Sequence, residues 1–151
     1  MRGNRPAIWP VFSFWGSVKR PNRVFPGRVT RRRTIELGRE KTAPRLARRT
    51  LAQFDHGLPP DRLNDADLLL SELVTNAVKY GGEGDIRVIF ERDYGRFRTE
   101  VVDEGDGLIV PLRDRGDVHT PGGWGLPLVE TLSDRWGAHM GSTHVWFEFA
   151  L

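Results

Sequence analysis

Ser71-Glu72-Leu73-Val74-Thr75-Asn76-Ala77-Val78-Lys79-Tyr80-Gly81 ends a long amphipathic stretch, and its spacing decides the fold. On a helical wheel of about 100° per residue, Glu72, Asn76 and Lys79 fall within about 60° of one another. Ala66, Leu70, Leu73 and Ala77 cluster roughly 130° away and form the apolar stripe of a helix that packs on a core. A carboxylate, a carboxamide and an ammonium therefore share one narrow polar strip beside a buried face. Asn supplies a neutral oxygen for a hard cation, Glu an acceptor for a proton, and Lys a charge for phosphate. The same three residues on an ordinary solvated face are the plainer reading of this helix taken alone.

On the N-terminal side, Asp61 or Asn64 is expected to cap this helix, and Gly81-Gly82 to halt it. Before it, Gly57-Leu58-Pro59-Pro60 separates it from a first helix that Thr42 caps, with Pro44 in its first turn and Leu46, Leu51 and Phe54 at helical spacing. Thr34–Leu37 reads as a short first strand. On the C-terminal side, Ile86-Arg87-Val88-Ile89-Phe90 and Arg96–Val102 read as strands around a turn at Asp93-Tyr94-Gly95. Residues 103–123 are rich in glycine and acid, with Pro111 and Pro121, and form a long loop expected to act as a lid. Leu126–Leu132 is helical, and Trp136 and His144–Leu151 fit two closing strands around Gly141. The order β-α-α-β-β-loop-α-β-β predicts an α+β two-layer sandwich rather than a doubly wound parallel sheet.

Two further segments carry chemistry. Asp103-Glu104-Gly105-Asp106-Gly107 follows the apolar strand end Val101-Val102. It places a carboxylate at a strand terminus, where it can accept from an exocyclic amine such as adenine N6, and then two glycines that permit positive φ and close ligand approach. A simple turn has the same composition. The calcium pattern of an EF-hand does not follow from it. Gly122-Gly123-Trp124-Gly125-Leu126 leads into the third helix, where free backbone N–H groups favour an anion. No Gly-Lys-Ser/Thr ends it, so it is not a P-loop.

Composition sets outer limits. Of 151 residues, 38% are hydrophobic and 28% charged, which suits one globular domain. There is no cysteine, so disulfides and thiolate chemistry are excluded, and the four histidines show no metal-ligand spacing. The net charge of +3 is unevenly spread: residues 1–34 hold nine Lys or Arg and no Asp or Glu, and residues 35–151 hold fourteen against twenty. Residues 1–33, with five aromatics and Pro6, Pro10, Pro21 and Pro26, are read as a basic, disordered extension, and 34–151 as the domain. The sharper alternative for the extension is an arm that grips nucleic acid or an anionic surface. The acidic domain does not support a nucleic-acid function. The apolar patch Ala7–Trp15 is interrupted by Pro10 and lacks a small-residue cleavage site, so no signal peptide or membrane span is read, and the expected location is cytoplasmic.

Each signal is weak alone, but their set and order are specific. Helix Glu-x-x-x-Asn-Ala, strand-end Asp-x-Gly-x-Gly and Gly-x-Gly-Leu before a helix resemble the N, G1 and G2 boxes of the GHKL ATPase superfamily, whose members share the Bergerat ATP-binding fold. The stretch 71–81 is most similar to the anti-sigma-factor serine/threonine kinases and related single-domain actinobacterial proteins, and the likeness includes Ala47-Arg48-Arg49, Trp136-Gly137 and Val145-Trp146-Phe147-Glu148. The resemblance implies a mixed, mostly antiparallel sheet with helices on one face, and ATP and Mg²⁺ as ligands. It implies Mg²⁺ at Asn76, a general base or nucleophile-orienting role for Glu72, and phosphate contact for Lys79. Asp103 would read adenine N6, Gly105 and Gly107 would shape the adenine pocket, and Gly123, Gly125 and Leu126 would close over the phosphates. Arg48 matches an arginine that serves partner and nucleotide chemistry. The implied partners are an anti-sigma antagonist as substrate and a sigma factor, with a homodimer left open. Tyr80 stands where many of these proteins carry His, and Pro127 replaces a commoner non-proline residue. A detached sensor histidine kinase domain fits less well, because no phosphoacceptor hairpin is read before residue 34 and the interval Gly107–Gly123 is short. An ATP-dependent partner switch with little kinase activity is the other reading.

Overall fold

Among the described residues eight elements follow in the expected order: β1 (Arg31–Leu37), α1 (Ala43–Gln53), α2 (Pro60–Tyr80), β2 (Ile86–Asp93), β3 (Arg96–Val102), α3 (Gly125–Leu132), β4 (Arg135–Ala138) and β5 (Val145–Ala150). They come from a computed structural model that describes residues 30–105, 125–138 and 144–151. The extension up to residue 29, the lid expected at 108–122 and the turn at Gly141 lie outside the described residues. The strands form one sheet in the order β1-β2-β3-β5-β4. All four described pairings are antiparallel, so the mostly antiparallel sheet contains no parallel pair among these residues.

β1 begins at Arg31, three residues before the expected Thr34, and Arg31, Arg32 and Arg33 pair with Arg92, Glu91 and Phe90. Three arginines show no alternation of apolar and polar residues. An edge strand needs only its backbone to join the ladder, so its start is invisible to hydropathy. α2 likewise starts earlier than a cap at Asp61 or Asn64 would place it. Pro60 is its first residue, where the preset φ suits a helix and a missing N–H costs nothing, and Asp61 complements the positive end of the helix. Thr42 does occupy the N-cap of α1, but its hydroxyl bonds Glu40 (3.2 Å) and no helical N–H.

Alternation fixes the two faces of the sheet. Ile86, Val88 and Phe90 of β2, Phe97 and Val101 of β3, and Phe147 and Phe149 of β5 point to one side and meet Ala47, Leu51, Leu70, Leu73, Ala77 and Val129 of the helices in a single core. The expected stripe of α2, Ala66-Leu70-Leu73-Ala77, is buried throughout. The helices therefore cover one face, as a two-layer sandwich requires.

The other face carries charge. Arg96 and Arg98 share Glu148 Oε1 (2.8 and 3.0 Å), and the Arg98 guanidinium stacks on the Trp146 ring, 4.0 Å from its centroid. Glu100 accepts from Arg98 Nε (2.6 Å) and from His144 Nε2 (3.0 Å), which must be the donor because an ionised carboxylate has no proton to give. The His144 hydrogen bond and Arg98 hold the Glu100 carboxyl down to about 2, against the opposing effect of burial. A carboxyl lowered on folding contributes stability above its ordinary value of 4.5 and loses it as pH falls toward about 2. Glu100→Gln is expected to cost about 1 kcal/mol at pH 7, a figure reduced for the partial exposure of these side chains. Thermal melts of the two proteins should converge as pH falls through that window, and a constant gap would refute the linkage.

Candidate functional site

Strand register brings the site together. Arg87 pairs with Val102, so the chain entering β2, residues 81–85, runs beside the chain leaving β3, residues 103–105. α2 ends directly before residue 81. The C-terminal turn of α2, with Asn76 and Lys79, thus meets the strand-end carboxylate of Asp103 without any contribution from local sequence signals.

Glu72 and Asn76 are half-buried on α2, and Lys79 is exposed in its last turn. No hydrogen bond or ion pair joins any of the three to another described residue. Among the described residues this half-buried carboxylate and carboxamide have no partner, and on one strip of one helix both can meet a polar ligand. No group of three or more His, Asp or Glu among the described residues could hold a metal ion. Among the described residues Asn76 offers one neutral oxygen to a divalent cation, and Mg²⁺ ordinarily takes its other oxygens from phosphate and water.

Asp103 is buried, with 8% of its surface exposed. Its Oδ1 accepts the Gly105 N–H (2.9 Å). Its Oδ2 lies directly against Gly81, so that a Cβ at residue 81 would collide with the carboxylate and stand 2.7 Å from the Ala77 carbonyl oxygen. The φ of Gly81 is −87°, which any residue adopts. Glycine is needed there for space and not for conformation. Gly82, in contrast, has φ +78°, and its added Cβ would lie 3.0 Å from the Glu104 carbonyl oxygen. Residues 81–82 are therefore the floor under residues 103–105. Burial raises the pKa of Asp103 above its ordinary value, opposed by the Gly105 N–H and by the charge of Arg39.

Gly105 does not use the positive φ that the sequence suggests: among the described residues only Gly57 and Gly82 have it. Gly105 acts instead through its N–H, which fixes one oxygen of Asp103. Gly107 and Gly123 lie outside the described residues. Gly125 opens α3, with Leu126 and Pro127 in its first turn. Arg62, near the start of α2, donates to the Leu132 carbonyl (3.0 Å) and pairs with Asp134 (2.7 Å). That contact ties the C-terminal end of α3 to the N-terminal end of α2, so Gly125 is at the end of α3 directed away from Arg62.

Arg48 is not drawn to the Glu72 strip. It donates to Ser71 Oγ (2.9 Å), whose hydroxyl in turn donates to the Asp67 carbonyl (2.6 Å). Ser71 lies about 100° around α2 from Glu72, on the side that meets α1. Asp67 itself has a buried Oδ1 with no hydrogen-bond partner among the described residues, and burial raises its pKa against the charges of Arg48 and His56. Neither Asp67 nor Arg39 belongs to any motif, and only their tertiary surroundings single them out.

A family model described as "Histidine kinase-like ATPase domain" matches residues 37–149. The chain belongs to this family, and so to the GHKL superfamily. The matched range begins at the last residue of β1 and ends within β5, so it spans α2, the Asp103 strand end and α3 together. Comparison with curated proteins gives no significant match. The five-stranded antiparallel sheet with helices packed on it agrees with the Bergerat fold of this family. No helix among the described residues is long and apolar enough to cross a membrane.

Proposed function

We propose that this histidine kinase-like ATPase domain binds ATP with Mg²⁺ and transfers the γ-phosphoryl group to a serine or threonine of a small anti-sigma antagonist protein, and thereby controls how much sigma factor is free. The observation that supports it best is a half-buried Glu72–Asn76 strip, without hydrogen bonds to other described residues, on the helix whose end at Gly81 seats the buried Asp103 carboxylate. Asp103 Oδ2 offers an acceptor for the adenine amine, and Asn76 an oxygen for Mg²⁺. When bound, the cation neutralises charge on the phosphates, and positioning and neutralisation carry most of phosphoryl transfer. Glu72 then accepts the proton of the attacking hydroxyl as its oxygen bonds the γ-phosphorus and the bond from that phosphorus to ADP breaks. Lys79, in the last turn of α2, offers its charge to the phosphates, and the N-terminal end of α3, with Gly125 and Leu126, offers free N–H groups.

The test is incubation with γ-labelled ATP, Mg²⁺ and candidate antagonist proteins. Label on a serine or threonine of one of them supports the kinase reading. Tight ATP binding with no transfer to any partner that the protein binds would replace it with an ATP-dependent binding switch. Failure to bind ATP at all would end both readings.

A further inference from the structure

Arg39 follows β1 by two residues and belongs to none of the sequence boxes. Leu37 pairs with Ile86, so the chain leaving β1 runs beside the chain entering β2. There the half-buried Arg39 guanidinium donates from Nε to the Gly84 carbonyl (2.7 Å), from Nη1 to the Ala77 carbonyl (2.5 Å) and from Nη2 to the Gly81 carbonyl. One rigid fork thus holds three carbonyls that span the end of α2 and the turn into β2. A cation is favoured at this end of a helix, and the Ala77 carbonyl also accepts the Gly81 N–H (2.9 Å). Gly81 is gripped from two sides: its carbonyl by Arg39, and its Cα by the Asp103 carboxylate. Asn76 is one residue before the first of the three carbonyls.

We propose that Arg39 is a positioning residue for nucleotide recognition: by locking residues 77–84 it fixes the floor on which the Asp103 carboxylate sits and holds that carboxylate in register with Asn76. The proposal rests on the reading of this site as an ATP site. A helix cap with no further role would have the same three hydrogen bonds, so the test must separate positioning from stability. The guanidinium is committed to backbone carbonyls, so it acts on nucleotide indirectly, by holding Gly81 and by the charge it sets near Asp103.

The experiment compares the full-length chain with its R39A and R39K variants. Calorimetry gives the affinities for ATP and GTP with Mg²⁺ well below the melting temperature, and melting is recorded without nucleotide. R39A is expected to lose about tenfold in ATP affinity, the scale of one charge-assisted hydrogen bond set out of place, and to lose preference for ATP over GTP. R39K keeps the charge but replaces the planar fork of three separate nitrogens by one ammonium, so it should fall between wild type and R39A, and it carries the test if R39A does not fold. A lower melting temperature with unchanged ATP affinity and unchanged ATP-to-GTP preference would overturn the positioning role. A wild-type chain that binds neither nucleotide would instead overturn the ATP-site reading, and this proposal with it.

Discussion

Glu72→Gln is expected to reduce phosphoryl transfer by about 10²- to 10⁴-fold while leaving ATP affinity close to that of the wild type. The change keeps the size and shape of the side chain and removes its negative charge, and with it the ability to take a proton. Since Glu72 has no ion pair or hydrogen bond to another described residue, the substitution breaks no described contact, and the fold should not suffer. Asn76→Ala separates the second function of the strip. It removes the carboxamide oxygen one turn from Glu72, so nucleotide affinity should become insensitive to Mg²⁺. Single-turnover transfer assays and calorimetry with and without Mg²⁺ check both outcomes. If the two variants lost nucleotide binding equally, with folding intact, the strip would be a structural surface and not a division between chemistry and metal binding.

Asp103→Asn is expected to weaken ATP binding by about 10- to 150-fold, the equivalent of losing roughly 1.5–3 kcal/mol of charge-assisted hydrogen bonding. The substituted amide can still accept the Gly105 N–H through its oxygen. The group turned toward Gly81 then becomes an N–H donor in place of the acceptor proposed for the adenine amine. Gly81→Ala should act in the same direction by a different route, because its Cβ would occupy space now held by the carboxylate and push it away. The pH dependence provides a second check. Burial raises the Asp103 pKa, so ATP affinity in the wild type should fall as pH drops through that raised value, and the fall should be absent in Asp103→Asn. The sign for folding is opposite. A carboxyl raised on folding binds its proton more tightly in the folded state, so its ionised form costs stability above its ordinary pKa and the cost is relieved as pH falls. Asp103→Asn should therefore bind ATP poorly without melting lower at neutral pH. A variant that melted far below the wild type and regained affinity on cooling would point to a purely structural carboxylate.

The helix that carries the candidate site was legible from residues alone. The 66-70-73-77 spacing and the opposed 72-76-79 strip are local consequences of 3.6-residue periodicity, and neither needs a partner to be recognised. The strand-end position of Asp103 was legible for the same reason, since alternation through Val101 stops there. Membership of the GHKL superfamily followed from the order of three short boxes, each of which is weak alone. What only the tertiary structure decided concerns contacts made across sequence distance. The arginines at 31–33 joined the sheet through backbone pairing, which no side-chain pattern announces. Gly81 reads as a helix stop, and at φ −87° its real constraint is the carboxylate packed on its Cα, 22 residues away in the chain. The hydrogen bond from Arg48 to Ser71 follows from the packing of α1 on α2, which no local pattern announces. Arg39 has no sequence signal, because its three acceptors are backbone carbonyls, and a carbonyl is the same at every residue. Their positions are set by the register of β1 on β2 and of β2 on β3, and register is a property of the assembled sheet.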